Sequence, residues 1–279
     1  MAVYRFSLHV HGRGNGRSAV AAAAYRHACR LYSPDRGKHE DYTHKKDLVH
    51  SRILAPKSAP DWVYDRQKLW GSVEEYESRR DSQLYRECHV ALPVELTREQ
   101  QIALVEDYCQ RAFVDRGMVA DIAVHDKDGT NPHAHIMLTL RDIGPDGWSR
   151  LKNRDWNDRF VLLPQWREDW ATAQNTALAR AGHDVRVSHL SHAERGLSVV
   201  PQMKRGGSGP RVNAERQEAH DLILKENGEH LKKKPEELLN LLAAEGRATW
   251  TQRDIDRMAH RYSADDHQLQ EIRAAVAQS

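Results

Sequence analysis

A chain of 279 residues with 39% hydrophobic content is long enough for one large domain, or two modest ones, around a real core. Its 42 basic side chains are nearly balanced by 40 acidic ones, so net charge announces no partner, and no apolar run approaches the ~20 residues that span a bilayer. With no charged-then-apolar leader, and with Cys29, Cys88 and Cys109 at no metal-type spacing, the chain reads as a cytoplasmic protein without membrane insertion.

Residues 3–10, VYRFSLHV, alternate apolar and polar and predict a half-buried strand. The stretch that follows, HGRGNGRSAVAAAAYRHACR, runs from a Gly-Arg loop into an alanine-rich helix with Ser18 at its N-cap. Gly12, Gly14 and Gly16 free the backbone to present amides to an anion, although the spacing fits neither a P-loop nor a dinucleotide fingerprint. Residues 1–34 carry Arg5, Arg13, Arg17, Arg26 and Arg30 and no acid, a local basic footprint. A helix of alanines lets another backbone or a ligand approach closely, so Tyr25 stands out within it.

Residues 34–60, rich in Pro, Lys, Asp and His, read as irregular, and a helix is expected over 62–80. ECHVALP is a short strand ended by Pro93, with Glu87, His89 and Ala91 on one face. Thr97 and Gln100 form a capping box for a helix whose stripe of Ile102, Val105, Tyr108, Ala112 and Phe113 reaches Gly117. VADIAVHDKDGTNPHAHIMLTLR reads as two strands joined by DKDGTNP. A helix from Pro164 to Ala181, closed by Gly182, precedes a short strand DVRVS. PQMKRGGSGPR then has linker composition, and 213–279 read as three or four short charged helices.

The chemistry concentrates in the hairpin. His133 and His135 share a strand face, and the turn brings His125 back beside them, so three imidazoles converge. Three neutral imidazoles with no evident fourth ligand describe an open catalytic metal site better than a closed structural one. A tyrosine hydroxyl, with a pKa near 10, is a poor nucleophile and needs a polarised electrophile. A phosphodiester at the three-histidine site is such an electrophile. Arg13, Arg17 and Arg26 are then candidates for holding the flanking phosphates of DNA.

Four motifs in order, GRSAVAAAAYR, LYRECHVALPVELTREQQ, HDKDGTNPHAHIM and WREDWATAQNTALARAGHDVRVSH, resemble those of the MobA/MobL-type (MobQ class) plasmid relaxases of the HUH endonuclease superfamily. The resemblance covers residues 1 to about 200. It implies an α+β fold, a central mostly antiparallel sheet flanked by helices, with a relaxase domain over 1–200, a linker over 201–212 and a small helical C-terminal region over 213–279. It implies an enzyme that nicks and rejoins one DNA strand at a plasmid origin of transfer through a 5′-phosphotyrosine. In that reading Tyr25 is the nucleophile, His125, His133 and His135 hold a divalent metal ion, Mg²⁺ or Mn²⁺, and Glu87 is the acidic residue of the middle motif. Glu87 has two open roles: orienting a ligand histidine, or acting as general base toward Tyr25. The implied partners are single-stranded DNA at the origin, relaxosome accessory proteins and a coupling protein in a bacterial cytoplasm. At His89 some relatives carry an acid. Residues 213–279 resemble more weakly the segment after the relaxase in TraA-type proteins, so the chain reads as the N-terminal part of such a protein, with a short protein in its own right as the alternative. A rolling-circle replication initiator and a metal-dependent hydrolase are the alternative functions.

Overall fold

The computed structural model describes residues 2–201, 210–244 and 249–278, and they fall into two compact units, Met1–His183 and Asp184–Ser279. The first is built on a five-stranded antiparallel sheet in the order β1-β5-β7-β6-β4. The strands are β1 (Phe6–Gly12), β4 (Leu48–Leu54), β5 (Gln83–Ala91), β6 (Ala120–His125) and β7 (His133–Leu138). All of β6 is buried, as expected of a strand covered on both faces.

One face of the sheet is apolar. Ala120, Ile122 and Val124 of β6 and Ala134, Ile136 and Leu138 of β7 lie there, under α3 (Arg98–Ala112). The Thr97–Gln100 capping box closes in both directions, which stabilises the start of α3 by about 1 kcal/mol. Tyr108 and Phe113 stack edge-on against Trp170 and Trp166 of α4 (Leu162–Arg180). The opposite face carries α1 (Ala19–Arg26) and α2 (Arg66–Tyr76). Ala19, Val20, Ala23 and Ala24 are fully buried in a core shared with Leu69, Trp70, Val73, Tyr85 and Met137. The alanine run therefore serves close approach: α1 sits against α2 over the sheet because its inner side chains are small. Glu74 of α2 accepts from Ser18 Oγ (2.6 Å) and Val20 N (3.2 Å), which anchors the start of α1.

Several expectations change. Residues 34–60, read as irregular, hold β3 (Lys38–Asp41), which pairs with β2 (Arg30–Ser33) just ahead of them, and the edge strand β4. An edge strand needs few apolar residues, and only Ile53 is buried in β4, so its alternation is faint in sequence. The helix expected over 62–80 shortens to a 3-10 turn (Asp61–Tyr64) and α2. Residues 184–188, expected as a strand, are irregular. A minor hairpin, β8 (Ile143–Gly144) with β9 (Gly147–Trp148), follows β7.

The second unit contains α5 (Pro210–Lys233), α6 (Glu236–Ala243), α7 (Gln252–Arg261) and α8 (Asp266–Ala277). Its core joins Leu231, Leu238, Leu242, Met258, Ile272 and also Val199. Asn227 bonds both the N–H and the carbonyl of Val200 at 2.8 Å, so 184–200 belong with these helices rather than with the sheet. Of the linker expected over 201–212, residues 202–209 lie outside the described residues, and α5 already begins at Pro210. Among the described residues no helix is long and apolar enough to cross a membrane.

The end of α1 is strained. Cys29 N reaches back to Ala24 O at 3.1 Å, the six-to-one bond of a Schellman turn, and Ala28 takes the left-handed position (φ 47°) where glycine is usual. Ala28→Gly should relieve about 1 kcal/mol and raise the melting temperature by roughly 2–4 °C. A calorimetric scan checks this, and an unchanged or lower midpoint would show that the turn carries no strain.

Candidate active site

The hairpin between β6 and β7 forms as its turn chemistry dictates. Asp126 accepts from Gly129 N (2.8 Å) and pairs with Arg98 (2.5 Å), while Gly129 takes φ 79°. The register then sets His125 opposite His133 and, across β5, His89 opposite His135. Glu87 of β5 and His9 of β1 follow on the same face. The β-ladder thus gathers one polar row on the α1 side of an otherwise apolar sheet.

Four rings cluster in that row. His133 and His135 centroids are 5.3 Å apart, and His125 lies 5.7 Å from His133 and 5.3 Å from His135. Ligand-capable nitrogens of His89, His133 and His135 all fall within 4.8 Å of one another. Sequence spacing named His125 rather than His89 as the third member of this group. His125 is alongside, with Nδ1 3.0 Å from Asp47 Oδ2 and Nε2 2.7 Å from the Arg26 carbonyl, so both its nitrogens are engaged. Burial lowers the pKa values of His125 and His133, and burial with the neighbouring imidazoles brings His89 down to about 2. Neutral rings, which burial favours at His89 and His133, are what a metal requires; His125, expected from sequence as a ligand, faces an acceptor with each nitrogen and leaves none for an ion in this arrangement.

The donor set fits a divalent metal. His135 Nδ1 donates to Glu87 Oε1 (2.8 Å) and His133 Nδ1 to the Asn131 carbonyl (2.7 Å), which leaves the Nε2 lone pair of each ring free. Carboxylate or carbonyl acceptors behind ligand imidazoles are the usual support of such sites.

Glu87 is the hub. It receives both Arg26 Nε and Nη2 at 2.5 Å, His135 Nδ1, and His11 Nε2 at 3.2 Å. Burial by itself would raise its pKa, but the bonds from His11, His135 and Arg26 outweigh this and hold the carboxyl far below the ordinary range. A second hub lies beneath. Fully buried Asp121 of β6 accepts from Arg66 Nε and Nη2 and from Trp70 Nε1, each at 2.8 Å, with His27 Nε2 at 3.1 Å.

Tyr25 is 48% exposed at the end of α1. Its ring packs edge-on against Tyr42 at 5.2 Å, and Lys45 Nζ stands 3.8 Å above it. Lys45 also donates to the Tyr25 carbonyl (3.1 Å) and faces Asp47 at 3.8 Å, so a chain of contacts runs from Tyr25 through Lys45 and Asp47 to His125. Burial lowers the Lys45 pKa. Sequence reasoning missed Lys45 and Asp47, whose segment has no periodicity to flag it.

The three arginines named from sequence divide. Arg26 is spent on Glu87, and Arg13 donates to the Glu74 and Glu77 carbonyls (2.9 and 3.2 Å) and pairs with Asp35. Neither guanidinium is free to hold a phosphate in this arrangement. Arg17 is exposed and makes no hydrogen bond or ion pair with the described residues.

A histidine cluster on the central strands of an antiparallel sheet, tied to a tyrosine-bearing helix, defines the class of protein. The MobA/MobL family profile matches residues 17–216, and the chain belongs to that family. It is 33% identical to the probable conjugal transfer protein TraA of Sinorhizobium fredii, across 100% of this chain and 29% of that protein. Identity is also 33% to mobilization protein MobL of Acidithiobacillus ferridurans, across 79% of this chain and 67% of the relative. A solved structure titled "Molecular Basis of Vancomycin Resistance Transfer in Staphylococcus aureus" superposes with a TM-score of 0.64 at 33% identity, covering 68% of this chain and all of the other. The chain spans under a third of the length of the TraA relatives.

Proposed function

We propose that this chain nicks and rejoins one DNA strand at a plasmid origin of transfer during conjugation. The Tyr25 hydroxyl oxygen attacks a backbone phosphorus and the P–O3′ bond breaks. The protein is thereby joined to the new 5′ phosphate, and the phenolic proton passes through solvent to the departing 3′ oxygen. The carrying observation is that Arg26, next to the nucleophile, is tied by its guanidinium to Glu87 and by its carbonyl to His125, so nucleophile and imidazole cluster form one assembly. His133 and His135, with Nε2 free, would hold a divalent ion, which would supply Lewis-acid polarisation of a phosphoryl oxygen. Lys45, above the Tyr25 ring, favours the phenolate electrostatically. Incubating the protein and Mn²⁺ with labelled single-stranded oligonucleotides from the transfer origin should give an SDS-resistant protein–DNA adduct. A metal-dependent hydrolase of small molecules would give no adduct.

Glu87 is the orienting residue of this reading. A carboxylate held so far below its ordinary pKa is a weak base for a phenol, whereas it already fixes His135 and Arg26. Glu87→Gln should weaken Mn²⁺ binding by about 10–100-fold, with cleavage recovered at high Mn²⁺. Unchanged metal affinity with a rate restored only by high pH would instead make Glu87 the base.

Charge for the DNA backbone comes from a surface of which the sequence reading marked Arg17 alone. Lys152 Nζ bonds Gln83 O (2.6 Å) and Arg13 N bonds Ser82 O (2.8 Å), so the glycine loop and the segment 149–161 meet at the start of β5. Exposed Arg17, Arg79, Arg80, Arg150, Arg154 and Arg159 belong to these segments, with Phe160 at 92% exposure. A bare aromatic among arginines is a stacking platform for unpaired bases. Phe160→Ala should weaken oligonucleotide binding by roughly 5–100-fold in fluorescence anisotropy, and unchanged affinity would remove this segment from the DNA surface.

A further inference from the structure

The segment 149–161 holds no more than a 3-10 turn and lies outside the main sheet, yet it is tied down along its length. Ser149 N bonds Asp142 O (2.9 Å) and Asn153 N bonds Leu140 O (3.1 Å). Buried Arg86 of β5 donates Nη2 to Asn157 Oδ1 (2.7 Å), and Asp158 Oδ1 accepts from the N–H groups of Phe160 and Val161 (2.8 and 2.9 Å). Phe160 therefore stands exposed on a folded turn. The start of the segment converges on a carboxylate that the reaction does not use. Glu77, just after α2, is buried, with Oε1 accepting from Arg141 Nε (2.6 Å) and Oε2 3.0 Å from Lys152 Nζ. Each cation grips the chain in turn: Arg141 Nη1 donates to the Arg150 and Ser149 carbonyls (2.5 and 3.3 Å), and Lys152 Nζ to the Gln83 carbonyl (2.6 Å). The Glu77 carbonyl accepts from Arg13 Nη2 (3.2 Å), so one buried residue joins the glycine loop, the 79–82 turn and the segment 149–161.

We propose that Glu77 is a positioning residue for single-stranded DNA: by holding Arg141 and Lys152 it sets the shape in which Arg150, Arg154, Arg159 and Phe160 meet the strand. The inference rests on the DNA surface described above and adds the residue that orders it. On charge alone Glu77 works against that surface, because a carboxylate among arginines lowers the positive potential that attracts phosphates. Order acts in the opposite direction. A slack arginine-rich segment loses conformational freedom when it binds, whereas a tethered one has lost it on folding. The two roles open to Glu77, partner of buried cations or organiser of the surface, therefore differ in the sign of its effect on affinity.

The test is fluorescence anisotropy of the whole chain with labelled oligo(dT) of about 20 nucleotides, longer than a typical single-strand site, over a salt series. Wild type, Glu77→Gln, Glu77→Asp and Phe160→Ala are compared, with far-UV spectra at the assay temperature confirming that each is folded. Glu77→Gln should bind about tenfold more weakly, with a salt dependence shallower by roughly one phosphate contact or more. A residue that only neutralised its neighbours would give the reverse, tighter binding and a steeper slope, as Arg141 and Lys152 turn to phosphates. That result, or unchanged affinity, would overturn the proposal. Where Glu77→Gln fails to fold, Glu77→Asp decides, because it keeps the charge and shortens only its reach: weaker binding supports positioning, and wild-type affinity overturns it. Phe160→Ala separates the two layers. If it binds as the wild type does, the DNA surface falls and this inference with it; if it binds weakly while Glu77→Gln does not, the surface stands and Glu77 is an ion-pair partner within the fold.

Discussion

Tyr25→Phe should eliminate covalent attachment and cut strand cleavage by roughly three orders of magnitude or more, while leaving the fold and DNA affinity intact. The substitution removes one oxygen. The Tyr25 hydroxyl makes no hydrogen bond with the described residues, and the ring's contacts with Tyr42 and Lys45 are those of its carbon frame. Stability should therefore stay within about 0.5 kcal/mol of the wild type. Oligonucleotide affinity, which the proposed surface of arginines and Phe160 would carry, should also persist. Cleavage equal to wild type would transfer the nucleophile to another tyrosine, with exposed Tyr32 the first to test.

Asp121→Ala should be the most destabilising substitution near the site, costing about 3–5 kcal/mol, which corresponds to a fall in melting temperature of roughly 6–20 °C. Asp121 joins α1 through His27, α2 through Arg66 and Trp70, and the sheet through its own strand. Its loss leaves a guanidinium without its carboxylate and frees the helix end that carries Tyr25. The sign with pH follows from the direction of its pKa. Burial pushes the carboxyl up, but the His27 and Arg66 interactions outweigh this and hold it well below the usual range. A carboxyl depressed on folding adds stability above its unfolded pKa, near ~3.9, and that contribution is lost as pH falls toward the folded value. The gap between wild type and Asp121→Ala in urea titrations should thus be widest at neutral pH and narrow on acidification below about pH 4. A gap independent of pH would mean that the variant's defect is a cavity and not a lost charge.

The hairpin was legible because its signal is local: strand alternation and the turn DKDGTNP set His125 against His133 with no reference to the rest of the chain. The α3 capping box and the alanine helix were local in the same sense. His89 was not legible, because its place beside His135 depends on the β5–β7 register, which pairs strands separated by a whole helix and another strand. The same reason misdirected Arg13 and Arg26. Arg13 sits between glycines and Arg26 between Tyr25 and His27, and the carboxylates that claim them, Asp35 and Glu87, come from other elements. Lys45 and Asp47 sit in an irregular polar segment between β3 and the edge strand β4, held to the end of β6 by the Asp126 N–H to Asp47 carbonyl bond, a contact local sequence does not show. The compact units divide after His183, ahead of the boundary expected near residue 200, because Val199 enters the core that the C-terminal helices provide.

The central claim is that the first unit forms a phosphotyrosine through Tyr25, and peptide mapping of the adduct tests it most directly. Trypsin cuts after Arg17 and Arg26 and releases Ser18–Arg26, a peptide whose single tyrosine is Tyr25. After reaction with an oligonucleotide spanning the transfer origin and nuclease trimming, that peptide should carry the mass of a 5′-phosphoryl nucleotide on Tyr25. The nucleotide mass on a peptide containing Tyr32 or Tyr42, or cleaved DNA with no modified peptide, would contradict the account.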